Sequence, residues 1–284
     1  MHADPGAHRA RPIPWLPALL ALVSSVACTT ISLPPIGGPP THQTQPGRFV
    51  WVDLVTRDVA AARAFYGGLF GWTFEGEASY VTVLHAGAPI AGILARDVDE
   101  GESMWISSLS VTDVDRAAER VRRAGGSVRR GPVNAGERGR MALVSDPGGA
   151  LVLLLRAPGG DPPDVLAEPG AWFWRELWTH DVPEALAFYA AVADYERREI
   201  EFRGGTYTIL ETNGDPRAGV TELPDAEIRS NWLPYVRVKD PDRTILRAER
   251  LGARLLVRDG NAAILLDPNG APLGIQRWPL EAGE

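Results

Sequence analysis

Trp51-Val-Asp-Leu-Val-Thr-Arg-Asp58, running on to Ala64-Phe-Tyr66 and Gly71-Trp72, returns later in the chain as Trp174-Arg-Glu-Leu-Trp-Thr-His-Asp181, running on to Ala187-Phe-Tyr189. A second pair of echoes follows. Val111-Thr-Asp113, Ala124-Gly125-Gly126 and Asp146-Pro-Gly-Gly149 correspond to Val238-Lys-Asp240, Leu251-Gly252 and Asp267-Pro-Asn-Gly270. Internal repetition of this kind decides architecture before any local reading does. It also lets one position be inspected twice for the residues that chemistry would need.

Working outward, the pattern predicts four similar units from Arg48 onward. Each opens with a strand, continues as an amphipathic helix and closes with two or three strands, a βαβββ unit of the α+β class. Phe49 to Thr56 alternates as a strand, and Asp58 is placed to cap the helix after it. Val59, Ala62, Phe65, Tyr66, Leu69 and Phe70 share one helical face, and Gly71 stops the helix. The second unit runs from Trp105 to Val111, caps at Asp113 and stops at Gly125. The third opens at Trp172, caps at Asp181 and buries Leu186, Tyr189 and Val192. In the fourth, Asp240 caps, Pro241 takes the first helical position and Gly252 ends the helix. The expected boundaries are a leader over 1–28, a Pro/Gly-rich extended spacer over 29–47, a first domain over 48–157, a linker over 158–169 and a second domain over 170–279.

With 284 residues, 45% of them hydrophobic, the chain is long enough for two domains with real cores. A net charge of −7, with the charges interspersed, argues against nucleic acid as a partner. Cysteine occurs once, at Cys28, so neither an intrachain disulfide nor a cysteine metal cluster can be built. Cys28 lies where a leader would end: a basic start at Arg9 and Arg11, a short apolar run, then small residues. Ser25-Val26-Ala27-Cys28 resembles a bacterial lipobox, although Ser25 stands where Leu is usual. The expectation is an exported protein on a lipid anchor at Cys28, with membrane contact through that anchor only. A plain cleaved signal and a disordered cytoplasmic leader are the alternatives.

The units and their landmarks resemble the vicinal oxygen chelate superfamily, which includes glyoxalase I, extradiol dioxygenases and bleomycin-resistance proteins. The motifs carrying the resemblance are strand-x-Asp, the Phe-Tyr seven residues after the capping Asp, Phe70-Gly-Trp72 and Asp-Pro-x-Gly. Trp-x-(Asp/Glu)-Leu-x-Thr-x-Asp is similar to the tandem subgroup that includes mycobacterial CFP32-type proteins. The resemblance implies that paired units curl into two cups, each holding a divalent metal through His, Gln or Glu. It places one ligand seven residues before each capping Asp, at Trp51, Ile106, Trp174 and Leu233. It places another four residues beyond the last Gly of Asp-Pro-x-Gly, at Leu153 and Gly274. None of these side chains offers a lone pair to a hard or borderline cation. His42, His85 and His180 do not restore a site. The expectation is therefore no metal and no other cofactor.

Strand parity gives the residues expected to line the cups: Trp51, Asp53, Ser108 and Leu153 in one, and Trp174, Glu176, Trp178, Tyr235, Arg237 and Gln276 in the other. Asp53 and Glu176 stand out because an acid recurs at one inward place. Each carboxylate is a candidate ligand contact or general base, or else a buried acid paired with Arg237 or a backbone donor. Trp51 and Trp174 are either stacking platforms or plugs. Trp105 and Trp232, on the opposite parity, read as core. No phosphate-cradling loop and no Gly-x-Ser-x-Gly elbow occurs. Three functions fit: a metal-free binding module for a small hydrophobic or aromatic molecule; a lyase, isomerase or dioxygenase-like enzyme using Asp53 or Glu176 in place of a metal; and a non-catalytic scaffold. Apolar sheet edges would also permit a homodimer.

Overall fold

The computed structural model describes residues 32–77, 79–97, 103–202, 205–223 and 228–278; Cys28 and the leader lie outside them. The first domain runs β1 (Phe49–Thr56), α1 (Val59–Phe70), β2 (Thr73–Glu77), β3 (Tyr80–His85), β4 (Ala88–Ala95), β5 (Met104–Ser110), α2 (Val114–Arg123), β6 (Ser127–Asn134), β7 (Arg140–Ser145) and β8 (Leu151–Arg156). The second repeats it as β9 (Trp172–Thr179), α3 (Val182–Ala193), β10 (Glu196–Phe202), β11 (Gly205–Thr212), β12 (Asp215–Glu222), β13 (Asn231–Arg237), α4 (Pro241–Arg250), β14 (Arg254–Asp259), β15 (Ala262–Leu266) and β16 (Pro272–Gln276). Each half is one mixed eight-stranded sheet, ordered β2-β3-β4-β1-β5-β8-β7-β6 and β10-β11-β12-β9-β13-β16-β15-β14. The opening strands of paired units, β1 with β5 and β9 with β13, run antiparallel at the sheet centre. Polar and chemical side chains on those strands therefore meet.

Each of the four α-helices among the described residues starts as the sequence predicts. Asp58, Asp113, Asp181 and Asp240 each accept a hydrogen bond from the backbone N–H three residues on, at 2.8–3.0 Å. Such a cap is worth about 1 kcal/mol. Gly71 ends α1 in the left-handed region, where the missing Cβ removes the steric cost.

The helices lie between the two sheets. α1 packs on α4 and α2 on α3, so the two large hydrophobic cores draw on both halves. Two of the repeated landmarks meet there. The Trp105 indole donates to the Tyr66 hydroxyl at 2.8 Å, and Tyr66 donates to Asp267 of the other half at 2.9 Å. In mirror image Trp232 donates to Tyr189 at 2.6 Å, and Tyr189 to Asp146 at 3.1 Å. Phe-Tyr and Asp-Pro-x-Gly thus tie the halves together. Burial raises both carboxyls above the ordinary range, against backbone N–H donors and the tyrosine that lower them. Arg175 lies between the central strands, its Nε on the Ser107 hydroxyl at 3.0 Å and its guanidinium over the Trp172 ring.

The extended spacer expected over 29–47 makes tertiary contacts of its own. From Leu33 on it is a strap bound across the first domain. Leu33 exchanges backbone hydrogen bonds with Ala135 and Arg138, and Leu33 and Ile36 are buried. Further along, the Gln45 N–H donates to the buried Asp161 carboxylate at 2.6 Å, which also takes the Ser110 hydroxyl at 2.6 Å. Apolar residues among the prolines give this segment something to bury, which proline content alone did not reveal.

Candidate ligand site in the second cup

With the helices sandwiched, each sheet turns its other, concave face away from the partner half. β1 and β9 present Trp51 with Asp53 and Trp174 with Glu176 on that face, as parity predicts. The floors of the two cups correspond closely. Gly92 sits beside Asp53 and Tyr80, and Gly219 beside Trp174 and Tyr207. A Cβ at either glycine would collide with the tyrosine hydroxyl, so glycine is what lets the ring reach the acid.

The first cup is closed. Asp53, only 8% exposed, accepts from the Trp51 indole at 3.0 Å and the Tyr80 hydroxyl at 2.7 Å. Its other oxygen is 2.9 Å from Nη1 of Arg138, a residue with no exposed surface. Arg138 also donates to Tyr80 and to the Pro34 carbonyl of the strap. Burial works against its charge, but Asp53 and Tyr80 more than reverse this, so the guanidinium is held firmly protonated. Ile36 of the strap packs with Trp51, Val50 and Leu155. Trp51 is a plug here. Ser108, whose hydroxyl has no hydrogen-bond partner, and Leu153 are sealed in the same place.

The second cup is open. Leu233, Tyr235 and Ile264 form its buried floor, with Phe173, Trp174, Trp178 and Ala262 packed against them. It leads into a groove of about 1780 Å³ that reaches the linker and the start of β1. Glu176, also 8% exposed, accepts from the Tyr207 hydroxyl at 2.8 Å, the Tyr235 hydroxyl at 2.7 Å and the Trp178 indole at 2.6 Å. The Trp174 indole donates onward to Tyr207 at 3.1 Å. Burial, and then the Glu176 charge, push Tyr207 and Tyr235 well above the ordinary phenol range. Both therefore stay protonated and keep donating. Trp174, Glu176, Trp178, Tyr235 and Gln276 all border the groove.

Arg237 does not belong with them. Its Nε donates to the Trp278 carbonyl and its Nη1 to the Ala167 carbonyl, both at 2.5 Å, so it clamps the linker to the C-terminal segment and pairs with neither acid. A strand's last residue is free to turn away, and parity could not foresee this. The residues that sequence reasoning missed are Arg138, Tyr80 and Tyr207. The two tyrosines lie on strands whose pairing to β1 and β9 runs through β4 and β12. Arg138 did leave a signal: the first domain spends Ala135 to Gly139 on the β6–β7 turn, where the second has only Gly260 and Asn261.

The divalent metal that such a fold commonly holds does not fit these residues. Trp51, Ile106, Trp174, Leu233 and Leu153 supply no donor, and the space at Gly274 is taken by the Tyr235 ring, which a Cβ there would strike. Among the described residues no group of three or more His, Cys, Asp or Glu is arranged to hold an ion.

Residues 48–154 match the glyoxalase/bleomycin resistance protein/dioxygenase superfamily, and residues 168–275 match a glyoxalase-like domain. The CFP32 protein of Mycobacterium bovis is 32% identical over 237 residues, covering 78% of this chain and 91% of that protein. The anthracycline biosynthesis protein DnrV of Streptomyces peucetius is 30% identical over 267 residues, covering 84% and 97%. The Mn(II)-bound glyoxalase of Novosphingobium aromaticivorans superposes with a TM-score of 0.57 at 17% identity, over 82% of this chain and 83% of that one. The 2,2',3-trihydroxybiphenyl 1,2-dioxygenase of Sphingomonas wittichii gives 0.58 at 14%, over 84% and 93%. At such identities these last two establish the shared fold alone. With a repeated βαβββ architecture, both halves matched and relatives aligned along nearly their whole length, the chain belongs to the glyoxalase/bleomycin resistance protein/dioxygenase superfamily as a tandem two-domain member.

Proposed function

We propose that this protein binds a small hydrophobic or aromatic molecule in the second cup without a metal, and that the first cup is a structural element. The carrying observation is the contrast between two copies of one floor: the first sealed by Arg138 and the strap, the second opening between Trp174, Trp178, Tyr207 and Tyr235 into a groove. Apolar walls with a few convergent polar groups are what small-ligand sites are made of. Relatives named as anthracycline biosynthesis proteins support a small molecule over a macromolecule as the ligand. The leader sequence supports an exported placement with a lipid on Cys28.

The enzyme reading loses its first base, since Asp53 is ion-paired and enclosed. Glu176 already accepts hydrogen bonds from Tyr207, Tyr235 and Trp178. Two measurements test the proposal. Elemental analysis of protein purified without chelators is expected to find no stoichiometric transition metal. Intrinsic tryptophan fluorescence, screened against small aromatic compounds, is expected to change for a subset and to lose that response in Trp174→Ala. A tightly bound metal at unit stoichiometry, or silence across a broad library, would overturn the reading.

A further inference from the structure

We infer that the ligand of the second cup carries a cationic group, an ammonium or a guanidinium, seated on Glu176 beside the Trp174 and Tyr207 rings. The inference rests on the binding reading above and adds a charge to it.

The first cup supplies the template. There, Asp53, Trp51 and Tyr80 are completed by a cation built into the chain. The Arg138 guanidinium carbon lies 5.4 Å from the ring centroids of both Trp51 and Tyr80, while Nη1 meets the carboxylate. That is an aromatic cage with a buried anion, the arrangement that attracts a desolvated cation. The second cup repeats the anion and the rings as Glu176, Trp174 and Tyr207, and the glycine that admits the tyrosine as Gly219. Among the described residues it does not repeat the arginine. The turn that would carry one is cut to Gly260 and Asn261, and no Lys, Arg or His contacts Glu176 among the described residues.

Several of the other charges bordering the groove have a partner of opposite sign, while the buried Arg175 donates to the Ser107 hydroxyl and the Trp174 carbonyl. Arg217 pairs with Asp164 at 2.8 Å and Arg198 with Glu211 at 2.6 Å. Among the described residues Glu176 is a buried carboxylate facing neutral donors only, and a buried charge without a counter-charge is costly. Oε2 takes both Trp178 and Tyr235, whereas Oε1 takes Tyr207 alone, so Oε1 keeps capacity for an N–H donor from a ligand. A ligand cation would complete the second cup as Arg138 completes the first.

The test is isothermal titration calorimetry of the full chain with matched probes: 2-naphthylmethylammonium, its neutral isostere 2-naphthylmethanol, and 2-naphthoate. The ammonium is expected to bind at least tenfold tighter than the alcohol, with the carboxylate weakest. Glu176→Gln is expected to remove the ammonium's advantage over the alcohol. Equal affinity of ammonium and alcohol for the wild-type protein would overturn the cation while leaving the hydrophobic site standing, and needs no variant to fold. An ammonium preference that survives Glu176→Gln would overturn the assignment to Glu176. If none of the three binds, the cation falls, while the binding reading is judged by the broader fluorescence screen.

Discussion

Removing the Arg138 guanidinium tests the account of the closed cup directly. Arg138→Met keeps an apolar stem of similar reach and deletes three interactions: the ion pair to Asp53, the bond to Tyr80 and the bond to the Pro34 carbonyl. Asp53 would keep Trp51 and Tyr80 as donors but lose the Arg138 cation while remaining enclosed. Breaking one side of such a buried pair costs about 3–5 kcal/mol. For a protein of this size that lowers the melting temperature on the order of 10 °C. Asp53→Asn should be comparably costly, because it leaves the guanidinium enclosed without a counter-charge. The double variant restores neutrality, so its loss should fall short of the sum of the singles by about 1–3 kcal/mol. Urea unfolding followed by tryptophan fluorescence gives all three values. Single losses below about 1 kcal/mol, or a strictly additive double variant, would show that Arg138 and Asp53 are not coupled as described.

Two further outcomes follow from the same geometry. A methyl at Gly219 would occupy the space of the Tyr207 hydroxyl, so Gly219→Ala should displace that ring and weaken naphthyl binding at least tenfold in calorimetry; unchanged affinity would show that the second cup is not the site. Burial raises Asp146 and Asp267 in the folded protein, so the folded state takes up protons that the unfolded chain does not. The stability they lend is full below the ordinary value near 3.8 and declines as pH climbs through the raised values. In thermal melts the advantage of wild type over Asp146→Asn/Asp267→Asn should therefore grow from pH 7 toward pH 4. An advantage that shrinks on acidification would refute the desolvation argument.

The sequence alone determined what depends on periodicity and local caps. The repeat of Trp51–Asp58 in Trp174–Asp181 gave the tandem βαβββ plan, and the four capping aspartates placed the four α-helix starts. Strand parity put Asp53 and Glu176 on the concave faces, because alternation along an extended backbone is a local property. The donor-free character of Trp51, Ile106, Trp174, Leu233, Leu153 and Gly274 was equally plain. What tertiary structure decided is which side chains distant in sequence converge. Only the folded chain brings Arg138 across to Asp53, draws the Leu33–Ile36 strap over the first cup, and carries Tyr66 and Tyr189 to aspartates of the opposite half. It also turns Arg237 outward at a strand end. A carboxylate's role depends on the charge enclosed with it. Asp53 and Glu176 look alike along the chain, and they part company only because a longer turn delivers a guanidinium to one and a short turn leaves the other open.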